Sequence, residues 1–183
     1  MNRKTFLTRL GGTSLAVMLP ANAVMATIRN SPLEKKRKEK IVLANEGVEL
    51  NILGNPQRHK VVGLDTDNQI FEWVDNLAPG SGIPPHIHTR EDEIFRVLKG
   101  QVEIMVDNKS TILKAGDMAF APKNIVHSWK VVGEEKAQMW VSAFPSGMEH
   151  MFHELSELPE GKPDFNKVAA ICDKYGITFV QEG

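Results

Sequence analysis

From about residue 46 onward, short runs rich in β-branched and aromatic residues alternate with turn residues. This rhythm predicts strands at 48–53, 60–64, 70–77, 93–98, 102–106, 110–113, 117–121, 126–132 and 137–144. The punctuation between them is Gly54-Asn55-Pro56, Pro79-Gly80-Ser81-Gly82, Lys99-Gly100, Asp107-Asn108, Ala115-Gly116 and Pro122-Lys123-Asn124. Asp107-Asn108, between two alternating runs, reads as a hairpin turn. No stretch has the spacing of a strand, a crossover helix and a second strand. The pattern therefore points to an all-β sandwich or barrel.

A helical period appears only near the end. In GMEHMFHELSEL, Met148, Met151, Phe152 and Leu155 form one apolar stripe. His150 and His153 fall on the opposite face. Their i, i+3 spacing is compatible with a second metal, but the polar face of an amphipathic helix accounts for them. A second helix is expected from Pro163 or Asp164 to Lys174, with Gly176 as its stop.

The first 26 residues change the picture. Arg3, Lys4 and Arg9 precede a short apolar stretch and then small-residue sites at Ala21-Asn22-Ala23 or Val24-Met25-Ala26. That order predicts a cleaved export signal and a periplasmic protein with no stable membrane insertion. NRKTFL resembles a twin-arginine signal, with Lys4 in place of the second arginine. Residues 27–45 read as a basic linker, and residues 46–183 as the folded domain with its C-terminal helices. The total charge is −1; with the +3 of the leader and the +4 of residues 29–40 set aside, residues 41–183 carry −8. An acidic domain repels a polyphosphate backbone, so no nucleic-acid partner is expected. Cys172 is the single cysteine, which excludes an intramolecular disulfide and a cysteine metal cage.

The candidate chemistry lies in GSGIPPHIHTREDEIFRVLKG, residues 80–100. On a strand, His86 and His88 share one face and Ile87 takes the other. Glu93 opens the next run, with Phe95 and Val97 on its face. Of Glu91, Asp92 and Glu93, one need point inward, and the others suit a solvated turn. About 30 residues later, His127 opens another alternating run with Trp129 and Val131 on its face. Three imidazoles and one carboxylate can thus converge from strands distant in sequence. The competing reading is a barrel whose histidines are packed core residues.

These residues resemble the cupin family. Gly80, His86, His88, Glu93 and Gly100 match every position of its first motif, G-x5-H-x-H-x4-E-x6-G. Gly116, Pro122 and His127 match its second, G-x5-P-x-G-x2-H-x3-N; Asn124 replaces a glycine and Val131 the terminal asparagine. Asn tolerates a left-handed turn, and neither change removes a ligand. The resemblance implies a jelly-roll β-barrel with one or two C-terminal helices. It also implies one divalent transition-metal ion (Fe, Mn, Ni, Co, Cu or Zn) on His86, His88, Glu93 and His127. The order of PPHIHTREDEIFRVLKG followed by a Gly-Met-Glu-x-x-Phe helix resembles single-domain bacterial cupins of the quercetin 2,3-dioxygenase-like kind.

The resemblance implies a metal-dependent dioxygenase acting on a flavonol-like or other enolic aromatic compound, with Glu93 as the catalytic base. The alternatives are a non-catalytic metal-assisted protein that binds a sugar or organic acid, and a metal-dependent isomerase or lyase. Phe95, Trp129, Phe120 and Met139 are the candidate substrate contacts, with Met105 and Phe144 as further inward candidates. A homodimer paired through residues 46–64 is expected by analogy with the family.

Overall fold

The computed structural model describes residues 37–159 and 161–180. The predicted leader at 1–26 and much of the 27–45 linker lie outside the described residues. From Arg37 onward the linker is tied to the barrel. Lys60 Nζ donates to the carbonyls of Leu43, Ala44 and Glu46 at 2.9, 2.8 and 2.5 Å, and Lys40 pairs with Asp65.

Among the described residues, eleven strands form two antiparallel sheets. They are β1 (Val48–Ile52), β2 (Asn55–Val61), β3 (Phe71–Leu77), β4 (Gly82–His88), β5 (Asp92–Lys99), β6 (Gln101–Val106), β7 (Lys109–Lys114), β8 (Met118–Ala121), β9 (His127–Val131), β10 (Ala137–Phe144) and β11 (Ile177–Phe179). One sheet has the order β1-β2-β3-β10-β5-β8 and the other β11-β4-β9-β6-β7. The helices are α1 (Gly63–Thr66), α2 (Met148–Ser156) and α3 (Phe165–Lys174). The architecture is a jelly-roll barrel with C-terminal helices.

Alternation fixes the core. Phe71, Trp73 and Leu77 of β3, Phe95 and Val97 of β5, and Met139, Val141 and Ala143 of β10 all turn inward and are buried. Asp107 and Asn108 form the β6–β7 hairpin, with φ of 49° and 61°, and Val106 pairs with Lys109. Gly100, the last glycine of the first motif, has φ 76°; a Cβ there would lie 2.8 Å from the Ala137 backbone. Both its conformation and its close approach to β10 exclude larger residues. Asn124 takes φ 65°, the turn that glycine usually supplies at this position.

Three expectations differ. The predicted strand at 60–64 is the end of β2 followed by α1, where Asp65 accepts a hydrogen bond from Val62 N at 3.0 Å. The Gly54-Asn55-Pro56 turn is tighter than expected: Leu53 and Gly54 make it with φ of 52° and 92°, and Asn55 already pairs with Ile52. β11 was not expected, since three residues carry too little alternation to read. It adds an edge to β4, with Ile177 opposite His88 and Phe179 opposite His86. The α3 expectation agrees with the structure: Asp164 caps it by accepting from Asn166 N at 3.1 Å, and Gly176 ends it with φ 84°.

Candidate metal centre

Strand pairing brings the four candidate ligands together. His86 and His88 both project inward from β4, while Ile87 takes the other face. His86 pairs with His127 of the neighbouring β9, after an irregularity in the register between Ile83 and His86. Glu93 enters from the other sheet and is flanked in register by Ala121 on β8 and Ala143 on β10. Those small neighbours leave room beside the carboxylate. The four side chains are buried, and one ligand atom from each lies within 4.8 Å of the others. The imidazole centroids are 4.2 Å apart for His86–His127 and 5.0 Å for both His86–His88 and His88–His127.

Hydrogen bonds fix two of the rings. His86 Nδ1 lies 2.9 Å from the Pro84 carbonyl, and His127 Nδ1 lies 3.0 Å from that of Ile125. A carbonyl can only accept, so each Nδ1 carries its proton and the opposite nitrogen turns to the site. His127 Nε2 stands 3.0 Å from Glu93 Oε2, and His88 Nε2 stands 3.5 Å from the same oxygen.

Electrostatics separates the roles. Burial, together with the neighbouring rings of His127 and His88, pushes His86 down to about 3 and keeps it neutral. Burial also lowers His88, against the pull of Glu93. Burial alone would raise Glu93, but the charge of His88 and the His127 hydrogen bond outweigh it and hold the group below the usual range. His127 is raised: its burial is outweighed by the hydrogen bond and charge of Glu93. Without a cation, Glu93 thus favours a proton on His127, and a cation at the quartet competes with that proton for Nε2.

The residues fit a divalent transition metal. Nitrogen and carboxylate donors converge, two imidazoles are neutral, and the single carboxylate is anionic. His150 and His153 are exposed on α2 and stand apart from the quartet.

Three of the four candidate ligands, His86, His88 and Glu93, line a cavity of ≈ 490 Å³ between the sheets. Phe95 and Trp129 line it beside the ligands, and the α2 stripe of Met148, Met151, Phe152 and Leu155 covers one side. Phe165, Val168 and Cys172 of α3 and Phe179 of β11 add further apolar wall. No lysine or arginine is among the lining residues.

Two other substrate candidates lie elsewhere. Phe120 sits on the outer face of β8, 48% exposed, and stacks on Phe144 at 6.5 Å. Ala119 and Ala121 take the inward positions there, opposite Phe95 and Glu93. Met139 points inward but is fully buried between Val97 and Asp75, away from the cavity lining. Met105 lies on the outside of β6, where Val102 and Ile104 take the buried positions.

Two inward polar residues were missed. Gln57 and Asp75 are buried and line the cavity. Asp75 could have been found from its phase, because Phe71, Trp73, Asp75 and Leu77 alternate on one face. Glu91 also departs from expectation: it is 4% exposed rather than in a solvated turn.

Comparison with known proteins agrees with this geometry. Residues 73–144 match the Cupin domain model. The chain is 32% identical over 90 residues to the pectin degradation protein KdgF of Dickeya dadantii, covering 45% of this chain and 80% of that one. It is 29% identical over 112 residues to quercetin 2,3-dioxygenase of Bacillus subtilis, covering 60% of this chain but only 33% of that enzyme. The solved structure of KdgF from Halomonas sp. superposes with a TM-score of 0.55 at 18% identity, covering 62% of this chain and 99% of that one. With both motifs in place, the jelly-roll barrel observed and the four donors converging inside it, the chain belongs to the cupin superfamily.

Proposed function

We propose that this protein is a metal-dependent dioxygenase acting on a flat, enolic aromatic compound of the flavonol type. The observation that carries the reading is the cavity: His86, His88 and Glu93 open onto walls that are mainly aromatic and aliphatic and include no lysine or arginine. Such a wall favours a planar, largely apolar ligand with one metal-seeking oxygen over a multiply charged one. A divalent ion on the quartet would supply Lewis acidity toward that oxygen and, if redox-active, an electron path to dioxygen.

The chain's own groups then have distinct tasks. Phe95 and Trp129 hold a ring beside the ligands and exclude water. Glu93 accepts the substrate hydroxyl proton at Oε2, the atom already faced by two imidazoles. The apolar stripe of α2 closes the cavity over the bound ring. Oxygen uptake with a flavonol panel tests this. Uptake is expected with at least one of the Fe-, Mn-, Ni-, Co- or Cu-loaded forms, and none with any of them contradicts the reading.

A second reading has its own support. KdgF of Dickeya dadantii is matched over 80% of its length, against 33% for the Bacillus dioxygenase. An isomerase, a lyase or a binding protein for a sugar-derived acid would use the same quartet. Product formation under anaerobic conditions favours the isomerase or lyase over the dioxygenase, and tight ligand retention without turnover favours the binding protein.

A further inference from the structure

The three imidazoles of the quartet are not held alike. His86 and His127 each set their Nδ1 on the carbonyl two residues earlier, at 2.9 and 3.0 Å. His88 has no such acceptor: its Nδ1 is buried without a hydrogen-bond partner among the described residues. The polar atom facing it is Glu91 Oε2, 3.9 Å away, which is itself buried and without a partner. The two side chains are 2% and 4% exposed. Two orphaned buried atoms, one able to donate and one able to accept, thus face each other beside the metal centre.

Leaving both unmade is costly, because each buried polar group loses its hydration without replacement. An approach of about 1 Å would give a hydrogen bond of ordinary length. Glu91 stands at the entry to β5, and the start of α2 covers it: a Cβ on Gly147 would meet its Oε1 at 3.8 Å.

The tautomer of His88 depends on which acceptor takes its proton. On one side is Glu91, at Nδ1. On the other is Glu93, whose Oε2 lies 3.5 Å from Nε2. A proton on Nε2 would tie His88 to Glu93 and remove the lone pair that a cation needs. We propose that Glu91 is the positioning residue for His88, accepting a hydrogen bond from Nδ1–H so that Nε2 stays free to face the metal. Glu91 does for this ring what the Pro84 and Ile125 carbonyls do for the other two, and it does so from outside the ligand set. The inference rests on the metal reading of the quartet.

The test uses the full protein, Co²⁺ as the probe and nitrogen chemical shifts of the His88 ring. In the metal-free wild type, the His88 proton is expected on Nδ1. Glu91→Ala is expected to move it to Nε2 and to weaken Co²⁺ binding by about 10- to 100-fold. Glu91→Gln keeps an oxygen that can accept from Nδ1 and is expected to restore most of the affinity. Glu134→Ala, which removes an exposed acid, is expected to change nothing. Co²⁺ affinity of Glu91→Ala within twofold of wild type overturns the proposal. A His88 proton on Nε2 in the wild type overturns it too, without any variant, should Glu91→Ala fail to fold. A wild type that takes up no Co²⁺ instead contradicts the metal reading, and the tautomer measurement still decides the role of Glu91.

Discussion

Two buried polar clusters each contribute side chains to the same cavity: the quartet of His86, His88, Glu93 and His127, through its first three members, and a chain running from His59 through Gln57 and Asp75 to Trp73, through its last three. In the second cluster the hydrogen bonds run between its own members. His59 Nε2 donates to Gln57 Oε1 at 2.8 Å, Gln57 Nε2 to Asp75 Oδ1 at 2.9 Å, and Trp73 Nε1 to Asp75 Oδ2 at 2.9 Å. In the quartet, ligand atoms converge instead, and Glu93 Oε2 alone is faced by two imidazole nitrogens. Burial is similar in the two, so burial does not mark the candidate metal centre. Convergence of donor atoms does, because a chain of paired groups has no shared point at which a cation could replace water.

The largest expected effect comes from breaking the quartet. His127→Ala removes a ligand and leaves Glu93 without its 3.0 Å partner. Metal binding should be lost, and the metal-free protein should lose about 3–5 kcal/mol, as when one member of a buried ion pair is deleted. Urea denaturation and elemental analysis measure the two effects separately.

The second cluster should answer to pH and not to metal. Burial raises Asp75 from 3.8 to about 6, and burial lowers His59 from 6.5 to about 4. The folded state therefore holds the Asp75 proton more tightly than the unfolded chain. Its contribution is complete below about pH 4 and is lost as pH rises toward 6. His59 has the opposite sign: its contribution is complete above 6.5 and is lost as pH falls toward 4. The two slopes oppose each other over a shared window. In Asp75→Asn the falling slope should vanish. The wild-type-minus-variant stability difference should then drop by about 3 kcal/mol between pH 4 and 6, in line with a shift of roughly two units. Metal stoichiometry should be unchanged. A variant that loses its metal would mean that the two clusters are one site.

The smallest effect is expected outside the cavity. Phe120→Ser, on the exposed face of β8, should alter stability by about 0.5 kcal/mol or less and leave metal content and oxygen uptake as they were. A clear loss of uptake would return Phe120 to the substrate wall.

The quartet was legible in the sequence because its spacing carries the geometry. The HIH pair and Glu93 belong to strands consecutive in sequence, one in each sheet; alternation puts the two histidines on one face and Glu93 on the face of Phe95 and Val97. The eight strands expected at 48–53, 70–77 and from residue 93 onward have boundaries within one residue of those observed. What stayed hidden had weaker local signals. β2 reads NPQRHKV, a polar string that conceals Gln57, His59 and Lys60 as buried positions. Gln57 and Lys60 are satisfied by partners elsewhere in the chain, and His59 by Gln57 on its own strand; such pairing leaves no periodic trace. Phe120 was misplaced because hydrophobicity outvoted phase. Its strand turns the two alanines inward beneath Phe95 and Glu93, where a larger side chain would fill the site. Glu91 looked like one of two acids left to a solvated turn beside Glu93, and only the covering start of α2 shows that it is buried.

The measurement that bears most directly on the central claim is the metal content of purified, untagged protein, together with uptake of added transition-metal ions. One ion per chain is expected, abolished in His127→Ala and retained in Asp75→Asn. Wild-type protein that carries no stoichiometric metal and takes none up would contradict the account.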